Sequence, residues 1–175
     1  FIIPIEADRM QNLLFDPKEI QSEREVVKEE RRMRVENDVR GALDEAVYNT
    51  VFTKHPYHWP VIGYMDDLNA ASIDDLKSFY KTYYAPNNAV LVISGNFDVK
   101  KAKELIKEHF EKIPAQPVPD LKPAAEPEQK TARSQILKKD VQTITYDMAY
   151  PIVESGHPDS FALDLFSTIM TAGAS

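Results

Sequence analysis

Glu23 and Glu30 stand seven residues apart in the stretch SEREVVKEERRMRVEND, Ser22 to Asp38. On a helix that spacing is close to two full turns, so both carboxylates return to one face. Val26 and Val27 lie on or near it, and the pair therefore borders an apolar strip. The chemistry open to such a pair is metal ligation. Their backbones are separated along the axis by roughly 10 Å, whereas a metal–oxygen bond is roughly 2.0–2.2 Å. One ion is not held directly by both; one Glu would ligate and the other would support the ligands. On spacing alone, a solvated helix face with an i,i+4 ion pair from Glu30 to Arg34 is the stronger reading.

The rest of the composition narrows what that helix can serve. The chain has 175 residues, 43% of them apolar, and a formal net charge of -7. That is enough for one sizeable core, or for one domain and part of another. The acidic balance argues against a nucleic-acid partner, because phosphate affinity comes from clustered Lys and Arg. Cysteine is absent, which removes disulfides, zinc–thiolate sites and thiol nucleophiles, so a metal here must use His and carboxylates. No apolar run approaches the roughly 20 residues that span a bilayer. The chain opens on Phe1 and stops at MTAGAS with no tail composition. Both ends read as cut, as in an internal piece of a longer protein, and the compartment is not legible.

The elements around the two glutamates follow from caps and periodicity. Asp16 with Pro17 and Glu19 starts a helix that runs to about Val35. Asn37 or Asp38 caps a second helix, with Ala42, Ala46, Val47 and Val51 on one side. TKHPYHWPVIGY is a loop, and Ser72 with Asp75 opens a helix carrying Leu76, Phe79, Tyr80 and Tyr83. Asn87 to Gly95, NNAVLVISG, reads as a strand covered on both faces, its asparagines serving the turn backbone. Asp98 caps a helix with the core stripe Ala102, Leu105, Ile106, Phe110 and Ile113. Five prolines between Pro114 and Pro127 mark a linker. Ile144, Tyr146, Met148 and Tyr150 alternate with polar residues as a half-buried strand, and Pro158 begins a final helix. The expected fold is α+β, with helices packed on a mostly antiparallel sheet.

Four blocks carry a resemblance. EADRMQNL (Glu6 to Leu13), EREVVKEERRMR (Glu23 to Arg34), HPYHWPVIGYMDDL (His55 to Leu68) and YYAPNNAVLVISGNFD (Tyr83 to Asp98) stand in the order and spacing of the insulinase or pitrilysin family of zinc peptidases. The chain resembles the bacterial short-chain branch, which is similar to the mitochondrial processing peptidases. The resemblance implies a metalloprotease domain with an inverzincin site, in which an H-x-x-E-H helix gives two His ligands and a general-base Glu. It maps the third zinc ligand onto Glu30, and onto Glu23 an acidic residue that supports the zinc site.

The resemblance also divides the chain: residues 1–113 as the later part of the zinc-site domain, 114–134 as a Pro-rich linker, and 135–175 as the start of a second, homologous domain. No H-x-x-E-H occurs in these residues. His55 and His58 have the wrong spacing for two ligands on one helical face, and His109 and His157 read as structural or exposed. The motif is expected upstream of Phe1, and the chain alone is expected to be inactive. The implied parent is a zinc endopeptidase that takes short or unfolded peptides, uses Zn²⁺, and needs a second peptidase-like half in cis or in trans. A soluble protein, periplasmic or secreted in a bacterium, fits that reading. The competing reading is a non-catalytic half that guides substrate or supports the structure. Gly173 resembles the start of a glycine-containing segment of the family.

Overall fold

The computed structural model describes residues 1–171; Gly173 lies outside them. Seven α-helices are present among the described residues: α1 Ile2–Arg9, α2 Pro17–Arg31, α3 Val39–Val51, α4 Met65–Ala70, α5 Ile73–Tyr83, α6 Val99–Phe110 and α7 Ser160–Thr171. The capped starts are where the side chains call for them. Asp16 accepts the Lys18 and Glu19 N–H groups, Asp38 accepts that of Gly41, and Asp98 that of Lys101. Ser72 and Asp75 form a reciprocal capping box at α5. Each such cap satisfies backbone donors that the first turn leaves free.

The expected sheet is not there. Among the described residues the fold is helical and contains no strand, so the α+β assignment is overturned, together with both expected strands, Asn87 to Gly95 and Thr143 to Tyr150. A strand exists only as a ladder between two chain segments. Neither run is paired with another, and both are open to solvent: Val90 is 89% exposed and Ile144 96%. Alternating or apolar side chains are a necessary condition for a strand, but the hydrogen-bonding partner has to be supplied by another segment. The asparagines before the first run do serve backbone, as expected. Asn88 donates to the Tyr83 carbonyl at 2.9 Å, and Asn87 exchanges two bonds with the Gln116 backbone.

Among the described residues, burial falls mostly on alanines, with Ile113 and Arg31 the larger side chains that join them. Ala7, Ala46, Ala85, Ala102 and Ile113 are the buried apolar residues, and no large side chain is fully enclosed. α1 packs on α6, each burying an alanine where the backbones come close. The accessible surface is 14516 Å², against roughly 8,700 Å² for a compact protein of this mass. The described residues therefore leave large apolar side chains, among them those of α7, facing outward. What organises the molecule around Glu23 and Glu30 is the α2–α3–α4 group.

Between α2 and α3 the chain widens into one π turn, Arg32–Glu36, closed by the Asn37 N–H on the Arg32 carbonyl at 2.8 Å. That extra residue per turn brings the start of α3 back onto the turn itself. Gly41 is what permits it: a Cβ there would stand 1.8 Å from the Arg34 carbonyl oxygen. A π turn inside a helical run commonly marks a site under functional constraint.

Candidate functional site

α2 meets its neighbours through a stripe of four residues. Ile20, Arg24, Val27 and Arg31 are the partly or fully buried positions of that face, at the i, i+4, i+7, i+11 spacing of one side of a helix. Two of the four are arginines, and both act as clamps. Arg24 donates to three carbonyls at the C-terminal end of α4: Leu68 at 2.7 Å, Asn69 at 3.1 Å and Ala71 at 2.6 Å. Unpaired carbonyls at a helix C-terminus carry partial negative charge, so a guanidinium is the right group to meet them.

Arg31 is buried and makes a bidentate pair with Glu45 of α3, at 2.8 and 3.1 Å. It also donates to the Gly63 carbonyl at 2.8 Å and lies over the Tyr64 ring. Its pKa is raised, first by the hydrogen bond to Glu45 and against the opposing effect of burial. The Nε atoms of Arg24 and Arg31 are buried without a hydrogen-bond partner. The two clamps therefore carry an unmet donor each.

Glu23 and Glu30 sit one residue before these arginines, about 100° around the helix from them. Glu23 is exposed, and Glu30 is half-buried and paired with Arg34 at 3.1 Å. The i,i+4 ion pair expected from spacing is thus formed. Val26, between them, is 56% exposed, so of the two valines that border the carboxylates Val26 faces outward, while Val27 turns to the inner stripe. The arrangement presents two carboxylates and a valine on an open face, with the rotation of the helix set by the arginines behind it.

A zinc site takes three or four protein ligands, and no group of three His, Asp or Glu side chains able to hold a metal occurs among the described residues. Three of the four histidines are engaged locally. His55 Nδ1 accepts the Tyr57 N–H, His58 Nδ1 meets the Phe52 carbonyl at 2.7 Å, and His157 Nδ1 accepts the Asp159 N–H. None of these three stands with Glu30. Sequence reasoning missed Arg24 and Arg31, although a signal existed: a Glu-Arg dipeptide repeats at positions 23–24 and 30–31, so a second pair of like residues shares the seven-residue spacing. No helix among the described residues is long and apolar enough to cross a membrane.

Comparison with known proteins gives the family of the chain. Residues 70–175 match a family described as "Peptidase M16 inactive domain". The chain is 37% identical over 175 residues to the zinc protease PqqE of Helicobacter pylori, covering 97% of this chain and 39% of that protein. It thus spans about two fifths of that relative's length. A crystal structure of a Helicobacter pylori protease superposes with a TM-score of 0.63 at 37% identity, over 70% of this chain and 31% of the other. The first half of the periplasmic protease PqqL from Escherichia coli gives 0.61 at 26% identity, over 69% and 26%.

Proposed function

The chain belongs to the M16 peptidase family, and from that membership we propose that the full-length protein is a zinc-dependent endopeptidase acting on short or unfolded peptides. The observation that carries the reading is the open Glu23–Glu30 face, held in rotation by Arg24 and Arg31. Glu30 is the proposed zinc ligand and Glu23 the residue that supports the zinc site. The remaining ligands would come from residues outside these 175. Zinc held there would supply Lewis-acid chemistry, lowering the pKa of a bound water and polarising a peptide carbonyl. The work of this chain is to hold one carboxylate at a fixed angle and a second beside it.

A periplasmic or secreted location and a second peptidase-like half, in cis or in trans, belong to the same proposal. So does the division into residues 1–113, 114–134 and 135–175. The name of the matched domain favours a second reading for residues 70–175: that they support the structure or guide substrate and carry no catalytic group.

The test is Glu30→Gln in the full-length protein, with zinc content and peptide hydrolysis measured on one sample. Both should fall together. Zinc affinity equal to that of the unaltered protein would remove Glu30 from the ligand set. Glu23→Gln should lose less zinc binding and more turnover, and unchanged kinetics would leave Glu23 as solvated helix surface.

A further inference from the structure

The run from Glu126 to Lys139 crosses α3 from end to end using charged and amide groups. The Glu126 carboxylate accepts the N–H groups of Thr53, Lys54 and His55 at 2.8, 2.8 and 2.9 Å and the Thr53 hydroxyl at 2.7 Å. Arg133 donates to the Thr50 and Val51 carbonyls at the C-terminal end of α3, and Gln135 accepts from the Thr50 hydroxyl. Lys139 reaches the Glu36 and Asp38 carbonyls at the other end. The lengths agree. The six residue steps from 133 to 139, if extended, span roughly 20 Å, and the thirteen residues of α3 rise about the same distance.

Each contact has the sign that its backbone target asks for. Cations meet the carbonyls where α3 and the π turn end, and an anion meets a row of free N–H groups. Apolar anchoring is slight: Ile136 is 84% exposed. Gln135, Leu137 and Lys139 line a cavity of about 360 Å³ together with Arg31, Glu45 and Asn49.

We propose that residues 126–139 are a releasable strap, latched by Glu126 at one end and Lys139 at the other, which closes that cavity and opens as one unit without unfolding α3. It rests on these contacts alone and stands whether or not the peptidase reading does. Charge-assisted bonds to backbone hold it, so salt weakens it, whereas the apolar packing of α1 on α6 is not weakened that way.

The absence of cysteine in these residues makes a direct test practicable. Met33→Cys, at an exposed position of the π turn, and Lys138→Cys would carry a spin-label pair in the full-length protein. The expected result is one narrow distance, with Glu126→Ala raising the open, broad population at least about tenfold, the share of one lost charged hydrogen bond. The helical circular dichroism should stay unchanged. An unchanged distance distribution in Glu126→Ala would show independent contacts and overturn the strap; so would loss of α3 along with it. If Glu126→Ala does not fold, raising salt from about 0.1 to about 1 M on the labelled protein with Glu126 intact serves instead, since screening shortens from roughly 10 to 3 Å. Broadening supports the strap, and a flat response overturns it.

Discussion

Removing Arg31 should cost more than any other single change on α2. Its side chain is 7% exposed and that of Glu45 is 19%, so the pair is screened far less than the ion pairs on the outer face of the helix. Arg31→Ala deletes two bonds to Glu45 and one to the Gly63 carbonyl, and strands a carboxylate in a poorly solvated place. Breaking a buried pair from one side typically costs about 3–5 kcal/mol, a large share of the roughly 5–15 kcal/mol that holds a domain together. The assay is urea unfolding of the full-length protein, with Glu45→Ala and the double variant closing a cycle. The coupling should be about 2–3 kcal/mol. A hydrophobic replacement of both partners should recover most of the loss, because neither charge is then left alone. The guanidinium side of this pair is insensitive to working pH. Its folded pKa is raised above the ordinary arginine value, first by the hydrogen bond to Glu45, so its contribution is complete throughout the working pH range and is lost only above that ordinary value. A cost under about 1 kcal/mol for Arg31→Ala, the value of an exposed pair, would refute the clamp.

Gly41→Ala should be destabilising by about 1–3 kcal/mol despite alanine's better helix propensity, because the new methyl meets the Arg34 carbonyl and the π turn must move. A neutral or stabilising urea midpoint would mean that the π turn yields freely. Glu126 gives the acid response. Partial burial works to raise its pKa, but the N–H groups of His55 and Lys54, the Thr53 hydroxyl and the Thr53 N–H together hold it down at about 2. A depressed carboxylate stabilises above its unfolded value and loses that contribution as pH falls. The Thr53 and Lys54 amide resonances, which follow the titration of the folded state, should therefore shift with a midpoint at about 2. A midpoint near 4.5 would show that the nest does not hold the carboxylate.

Helix starts were legible because their causes lie within four residues. Asp16, Asp38, Ser72 with Asp75, and Asp98 each carry the signal in the side chain that makes the bond. The helix α4 and the π turn had no such marker; Tyr64, before α4, makes no side-chain cap. The strand expectations failed for the opposite reason. Val90 to Ile93 and Ile144 to Tyr150 have strand-like side chains, but the deciding interaction lies between segments and cannot be read from either one. Glu126 shows the same limit at a single residue. Nothing in a Pro-rich run distinguishes the one glutamate whose carboxylate meets four donors more than seventy residues away in sequence.

The candidate site was half legible, and the half that was missed explains the other. Spacing puts Glu23 and Glu30 on one face but does not say which way that face points. The arginines one residue on decide it. α2 is surrounded on its inner side by the carbonyls that end α4, the Gly63 carbonyl and the Glu45 carboxylate, all of which ask for positive charge. Rotating the helix by one residue, about 100°, would bring Glu23 and Glu30 toward those same groups, setting a carboxylate against carbonyl oxygens at the Arg24 clamp and against the Glu45 carboxylate at the Arg31 clamp. The mixed charge of this run thus has a direction. Its cations are drawn inward by backbone and by one carboxylate, and the two glutamates are left facing out because no other rotation of the helix satisfies both ends.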